Sequence, residues 1–358
     1  MTPRENLLSL LRRAGYQTAP LSFGLCPALE AQYRARYGDA AYEETFQFPS
    51  RGVEGLRLSE RAPIDWLRYF PDGVKPGTTF DFWGIGYEPG SSAESFHLQH
   101  WRHPMERFDS LEQLHAYPLP DFAHAADAHI APQVQALHAR GLAAIGYMAA
   151  TIWETAWYLR GMAALMMDMA LEDDKAVFLL DAITDRAVLR AQAFARASVD
   201  IIHVGDDIGT QRALMMAPDF YRAWLKPRLA RVIAAARAIK PDVLIEYHSC
   251  GYVWPVIDDL IEAGADVLNP VQPECMDFAE VHARFGDRLS FSGSLGTQST
   301  MPFGSADDVR AMVWRNLAIA GPRGGLWCTP THLLEPEVPW ANVEAYADAC
   351  RNYRPGSQ

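Results

Sequence analysis

The sequence predicts a (β/α)8 TIM barrel, and three observations predict it. Short apolar runs alternate with helical patterns through the second half of the chain. Those runs are apolar on both faces, as strands covered by helices on both sides must be. No GxGxxG follows the first strand, which removes the commonest doubly wound sheet.

The elements follow in order. The opening MTPRENLLSLLRRAGYQ has no signal-peptide apolar core, and Leu7, Leu8 and Leu11 take amphipathic-helix spacing. APLSFGL (19–25) reads as the first strand. From about 26 to 140 the chain is irregular and rich in Trp, Tyr, Phe, Pro and Gly. That stretch is expected to be an insertion near the barrel mouth, within one domain spanning 1–358. Part of 81–101 is expected to cover the C-terminal rim, bringing Trp83 and Tyr87 near His248. LAAIGYM (142–148) is the next strand, and a long Ala/Arg helix pattern leads into DIIHVG (200–205). YRAWLKPRLARVIAAARAIK is a helix stopped by Pro241 before VLIEYHS (243–249). VWPVIDDLIEAG closes at Gly264 before ADVLNPVQ, AEVHARFGD precedes RLSFSGS, and DDVRAMVWRNLAIAG precedes GGLWCTPTH. Each helix pattern is read as ending at Gly or Pro, and each following run is short and β-rich.

Composition narrows the function. The 32 basic and 44 acidic residues give a net charge of −12, a field that repels phosphate backbones, so nucleic acid is not expected as a partner. No apolar run reaches the roughly 18 residues a membrane helix needs. Five cysteines, at 26, 250, 275, 328 and 350, are scattered and odd in number. That argues against a disulfide framework and for a reducing compartment, so a cytoplasmic location is expected.

In a barrel of this kind, chemistry sits at the C-terminal ends of the strands. Polar clusters fall there five times in succession: GDDIGTQ, HSCG, PVQPE, SGS and TPTHLLE. His248 and Cys250 are two apart at a strand end, so both side chains can face one side. Imidazole with thiolate suits zinc, and a catalytic zinc takes three protein ligands. Either His332 or Cys328 can supply the third. Of Asp206 and Asp207, one is expected to serve the site and the other to cap a helix or stand in solvent. Glu154, in TIWETAWYLRG, is either a substrate contact or half of a helix ion pair with Arg160. Tyr247, Gln211 and Gln272 are further candidates for holding substrate.

The segments GDDIGTQ, KPRLARVIAAARAIKPDVLIEYHSCG, GADVLNPVQPECMD, FGDRLSFSGSLGTQ and GGLWCTPTHLLEPEVPWANV together resemble the uroporphyrinogen decarboxylase superfamily. More closely, they resemble its branch of zinc-dependent, corrinoid-linked methyltransferases. The resemblance covers about 143–350 and implies a (β/α)8 barrel. It also implies zinc bound by a His-x-Cys and a distant Cys, with a thiol as methyl acceptor. His248 and Cys250 match the first two ligands. The spacing of Pro336, Pro339 and Asn342 puts His332 at the third, where the family has Cys. A His/Cys/His set is harder and less negatively charged than His/Cys/Cys, which points to a different substrate or, as the alternative, another divalent metal.

What the resemblance implies is a methyltransferase acting between a small methylated compound or thiol and a corrinoid (cobalamin) carried on a separate protein. The chain has no Asp-x-His-x-x-Gly cobalamin signature of its own. O-demethylation of a methoxylated compound is one version of this activity. Glu335 joins as a further metal-side group, and Asp206 and Asp207 as positioning carboxylates. The rival is a metal-free decarboxylase or lyase whose arginines hold substrate carboxylates. The Arg12-Arg13-Ala14-Gly15-Tyr16 stretch that would serve it precedes the first strand.

Overall fold

The computed structural model describes residues 1–60, 62–89 and 100–356. Among the described residues there are ten strands: β1 (Ser50–Val53), β2 (Thr79–Phe80), β3 (Gly86–Glu88), β4 (His100–Arg102), β5 (Ala143–Ala149), β6 (Ile201–Gly205), β7 (Leu244–His248), β8 (Val267–Asn269), β9 (Ser290–Ser292) and β10 (Leu326–Trp327). Seven form one all-parallel sheet in the order β1-β5-β6-β7-β8-β9-β10, and β2-β3-β4 form a small antiparallel sheet. Consecutive barrel strands are therefore neighbours, joined by helices, as a (β/α)8 barrel requires.

The strands form where the sequence carries short β-branched and apolar runs, and the helices form where capping and periodicity agree. Helix Asp174–Arg196 starts at Asp173, whose side chain accepts from the Lys175 N–H. It buries Leu179, Leu180, Ile183, Ala187 and Phe194 along one stripe. Ser305 caps helix Ala306–Ala320 through a reciprocal bond with Asp308, and that helix buries Val309, Val313 and Leu317. Among the described residues, no helix is long and apolar enough to cross a membrane.

Two expectations change at the N-terminal side. The run 19–25 is not a ladder strand; it bridges to the barrel at Leu25 opposite Leu334. Pro20 has no N–H to give. The backbone N–H of Ser22 donates to the Tyr346 hydroxyl, and that hydroxyl donates back to the Ser22 carbonyl. A side chain thus satisfies groups that a strand neighbour would otherwise take. The segment still holds a stave's place: Leu25 lies beside Leu334 beyond β10, and Phe23 packs on Phe48, just before β1.

The second change is that 26–140 is not all insertion. It contains β1, the stave beside β5, and helix Ile130–Ala139, which packs on both. The sequence SRGV has a single strongly β-forming residue, so no apolar run announces it.

Candidate metal centre

Backbone contacts at two glycines lock the ends of β6 and β7 together. Gly205 pairs with His248 in register, and its φ of +144° lies where side chains rarely go. A Cβ on Gly205 would stand 2.2 Å from the His248 carbonyl oxygen. Gly251, at φ +83°, is also pressed against backbone, and a Cβ there would stand 2.6 Å from the Thr210 carbonyl oxygen. Across this seam the Asp206 N–H donates to the His248 carbonyl at 3.1 Å, and the Tyr252 N–H donates to the Thr210 carbonyl at 2.7 Å. The Cys250 N–H donates to Asp207 Oδ1 at 2.7 Å. The loops after β6 and β7 are thus one unit.

That unit brings Asp207, His248 and Cys250 together, with ligand atoms all within 4.8 Å of one another. His248 Nε2 lies 3.7 Å from Cys250 Sγ and 3.5 Å from Asp207 Oδ1. The other imidazole nitrogen, Nδ1, is 2.6 Å from Asn269 Oδ1. Asn269 can present only its oxygen there, because its amide nitrogen donates to Ser292 O and Oγ at 3.1 and 3.2 Å. His248 therefore carries its proton on Nδ1 and turns the Nε2 lone pair toward Cys250 and Asp207. Burial, aided by the charge of His203, lowers the pKa of His248 and keeps the ring neutral. Burial, with the charges of Asp207 and Glu154, pushes the Cys250 thiol up. A divalent cation would reverse that preference and hold the thiolate. A neutral imidazole, a thiol and a carboxylate facing one point are a donor set that fits zinc.

The remaining expected residues fall into three groups. Asp207, Cys250, Gln211, Gln272, His332 and Glu335 line one cavity of about 750 Å³. Gln272 Oε1 accepts the Gly251 N–H at 3.1 Å, and Gln211 Nε2 donates to Gln298 at 3.0 Å, so both amides also brace the rim. His332 faces this cavity from the loop after β10, yet Asp207, not His332, stands in the close cluster with His248 and Cys250.

Asp206 and Glu154 stand behind the cluster. The buried carboxylate of Asp206 accepts the Ile152 N–H at 3.0 and 3.1 Å and the Glu154 N–H at 2.9 Å, capping helix Trp153–Arg160. Its role is thus structural, and the pair Asp206-Asp207 divides between cap and site. Burial, partly offset by those N–H donors, raises the Asp206 carboxyl to about 6. Asp206→Ala is expected to cost on the order of 2 to 3 kcal/mol in chemical denaturation, because it strips a charged acceptor from buried donors. Glu154 accepts from the Tyr158 hydroxyl at 2.7 Å and from the Asp207 N–H at 3.1 Å. Arg160 pairs with Asp168 at 2.8 Å instead of with Glu154.

Burial, with repulsion from Asp206 and Asp207, raises the Glu154 carboxyl to about 8. Because its native pKa exceeds the unfolded value, folding takes up a proton, and stability falls as pH climbs toward 8. Metal-free protein is expected to lose thermal stability relative to Glu154→Gln as pH rises from 5 to 8; parallel melting curves would refute this.

Tyr247 and Cys328 point elsewhere. Alternation along β7 sends Glu246 and His248 inward and Tyr247 outward. There Tyr247 is 2% exposed and donates to the Asp206 carbonyl at 3.3 Å. Cys328, just past β10, has its sulfur 3.5 Å from Ser294 Oγ and is buried, lining neither that cavity nor a second one inside the barrel. Its outward direction follows from the inward one of Trp327, which lines the barrel interior. Sequence reasoning also passed over Glu246, His203 and Asn269. Period-two alternation from His248 would have found Glu246.

The aromatic segment meets the rim through a different residue. Trp101 packs on Trp157 and Tyr158 of the helix that Asp206 caps, with centroids 5.5 and 4.8 Å away. Trp83 is instead buried against Phe122, Tyr87 donates to Asp81, and neither lines either cavity. Residues 90–99 of that segment lie outside the described residues. Arg13 donates to Ser290 at the N-terminal end of β9, the opposite face from the cluster. The arginine lining the interior cavity, Arg51, is bound to the Phe48 and Ser50 carbonyls and to Glu44. Neither is placed to hold a substrate carboxylate in the way the metal-free rival needs.

Comparison with known proteins adds the following. The family model described as uroporphyrinogen decarboxylase (URO-D) matches residues 3–353. The methylcobamide:CoM methyltransferase MtaA of Methanosarcina barkeri is 28% identical over 174 residues, 49% of this chain and 48% of that protein. The match thus spans about half the length of that curated relative. Among solved structures, a methyltransferase from Methanosarcina mazei superposes with a TM-score of 0.68 at 17% identity, covering 98% of both chains. That likeness concerns the fold.

Proposed function

The chain belongs to the uroporphyrinogen decarboxylase family, and from that premise we propose that it is a zinc-dependent methyltransferase. It moves a methyl group between a small methylated or methoxylated compound, or a thiol, and a corrinoid carried on a separate protein. The observation that carries this reading is the cluster of Asp207, His248 and Cys250, with the His248 lone pair turned into it by Asn269. The partial match to a methylcobamide:CoM methyltransferase supports the corrinoid side.

His248, Cys250 and Asp207 would hold the metal, and His332 and Glu335 face the same cavity from the last βα loop. Zinc held there would supply Lewis acidity, lowering the pKa of a bound thiol or polarising the heteroatom that carries the methyl group. The protein's own groups prepare the place. Asn269 fixes the imidazole tautomer, Asp207 anchors the Cys250 backbone, and Gln272 holds the Gly251 turn. Glu154 accepts the Asp207 N–H and so steadies the loop that carries Asp207. The cavity's open side, edged by the 77% exposed Phe303, gives a corrinoid-bearing partner an approach.

The test is made on the purified full chain. Bound zinc is measured by elemental analysis, and methyl transfer from methylcobalamin to a small thiol is followed by the corrinoid spectrum. Stoichiometric zinc with transfer that stops on chelation is the expected result. Transfer indifferent to chelation would overturn the reading.

A further inference from the structure

The inward positions of a TIM barrel are normally filled by layers of branched apolar side chains. Here three adjacent strands place Tyr147, His203 and Glu246 side by side in register at those positions. The space around them is open, a chamber of about 630 Å³ that His248 and Asn269 also line, next to the cavity lined by Asp207 and Cys250. The two spaces share the wall formed by Thr331, His332 and Leu333. Tyr147 is 50% exposed although strands flank it on both sides, because its ring faces this chamber.

The polar groups are built into position. His203 Nδ1 is 2.7 Å from Glu246 Oε2, and both side chains are almost wholly buried. A buried pair of this kind contributes little net stability, since desolvation offsets the attraction, so packing alone does not account for it. With Nδ1 held by Glu246, Nε2 is the ring nitrogen left to meet a ligand, and it has no protein partner among the described residues. The His203 ring lies 5.2 Å from Tyr147 on one side and 5.6 Å from His248 on the other. Gly52 makes room for the Tyr147 ring, since a Cβ there would come within 3.0 Å of it. Phe23, Tyr42, Phe48 and Trp327 add aromatic faces to the lining, beside polar groups that include Arg51 and Ser292.

We propose that this chamber binds an aromatic ring bearing a hydroxyl group, with the hydroxyl on His203 Nε2 and the ring among Tyr147, Phe23 and Phe48. Flat aromatic walls favour a ring over an alkyl chain. A buried hydrogen-bonding group rejects the analogue that lacks a partner for it. Contact between His203 and His248 sets such a ring beside the metal-binding residues. The inference rests on the methyl-transfer reading and deepens it, naming as the substrate class methoxyphenols, which keep one free hydroxyl for His203 Nε2 while another ring oxygen carries the methyl group.

Ligand-observed fluorine NMR with 4-fluorophenol and 4-fluorotoluene tests it on the full chain. The phenol is expected to bind at least tenfold more tightly than the toluene. His203→Phe and Glu246→Gln are each expected to reduce that preference to less than threefold while zinc content is retained. Should His203→Phe not fold, Tyr147→Ala, which removes one ring wall, is expected to weaken both probes together. Equal binding of the two probes to the wild type, or an undiminished preference in the folded variants, would overturn the proposal. Zinc-loaded protein that methylates a thiol yet ignores the phenol overturns the chamber alone. Phenol binding in a protein without zinc overturns the methyl-transfer reading and leaves the chamber supported.

Discussion

Cys250→Ala is expected to yield a folded barrel that no longer holds stoichiometric zinc and no longer transfers methyl groups. The side chain sits in a loop whose backbone is fixed by Asp207 and Gly251, so removing the sulfur leaves that scaffold in place. Loss of an outer hydrogen bond to a ligand weakens metal binding by about 10- to 100-fold, the effect expected of Asn269→Ala, which frees the His248 ring. Loss of Cys250 itself should exceed that range. Two further variants decide the third ligand. If Asp207 ligates, Asp207→Ala loses zinc as Cys250→Ala does, and His332→Ala keeps the metal while changing turnover. The reverse outcome would make His332 the ligand, as the spacing of Pro336, Pro339 and Asn342 implies. Elemental analysis after gel filtration, with circular dichroism to confirm folding, reads each variant. Metal fully retained by Cys250→Ala would remove the proposed centre.

Gly205→Ala is expected to destabilise the protein by about 3 kcal/mol or more and to lower zinc affinity with it. A Cβ at this position would stand 2.2 Å from the His248 carbonyl and 2.6 Å from its amide nitrogen. Both are backbone atoms of a strand paired on each side, so neither can swing away as a side chain would. Relief requires β6 and β7 to part where the ligands begin, which couples stability to the site. Chemical denaturation and zinc titration on the same samples test the coupling. A variant of wild-type stability, or one destabilised with unchanged zinc affinity, would contradict it.

The alternation of strands and helices in the second half, and the nearness of His248 and Cys250, could be read without coordinates, because both rest on short-range chemistry. Each run from DIIHVG to GGLWCTP is apolar enough to be buried on both faces, and each is followed by a polar loop. Alternation at a strand end puts His248 and Cys250 on one side, and His248 Nε2 lies 3.7 Å from Cys250 Sγ. The stave at Ser50–Val53 was not legible, since SRGV gains its strand conformation from pairing with β5 and not from its own propensities. Nor was the fate of 19–25, whose backbone groups are met by a tyrosine more than 300 residues away in the chain.

The residues surrounding the centre divide in the same way. The sequence by itself determined the parallel barrel, the polar loops on its C-terminal rim and the pairing of an imidazole with a thiol. Period, capping and spacing act between near neighbours in the chain. Only the tertiary structure decided that Asp206 caps a helix while Asp207 faces His248, and that Tyr247 turns outward while Glu246 turns in. It also decided that Asn269 sets the histidine's tautomer, and that Asp207, ahead of His332, closes the cluster. These outcomes depend on which strands lie side by side and on how closely two glycines let their loops approach. Contacts between segments 20 to 60 residues apart settle them, and no local pattern encodes those distances.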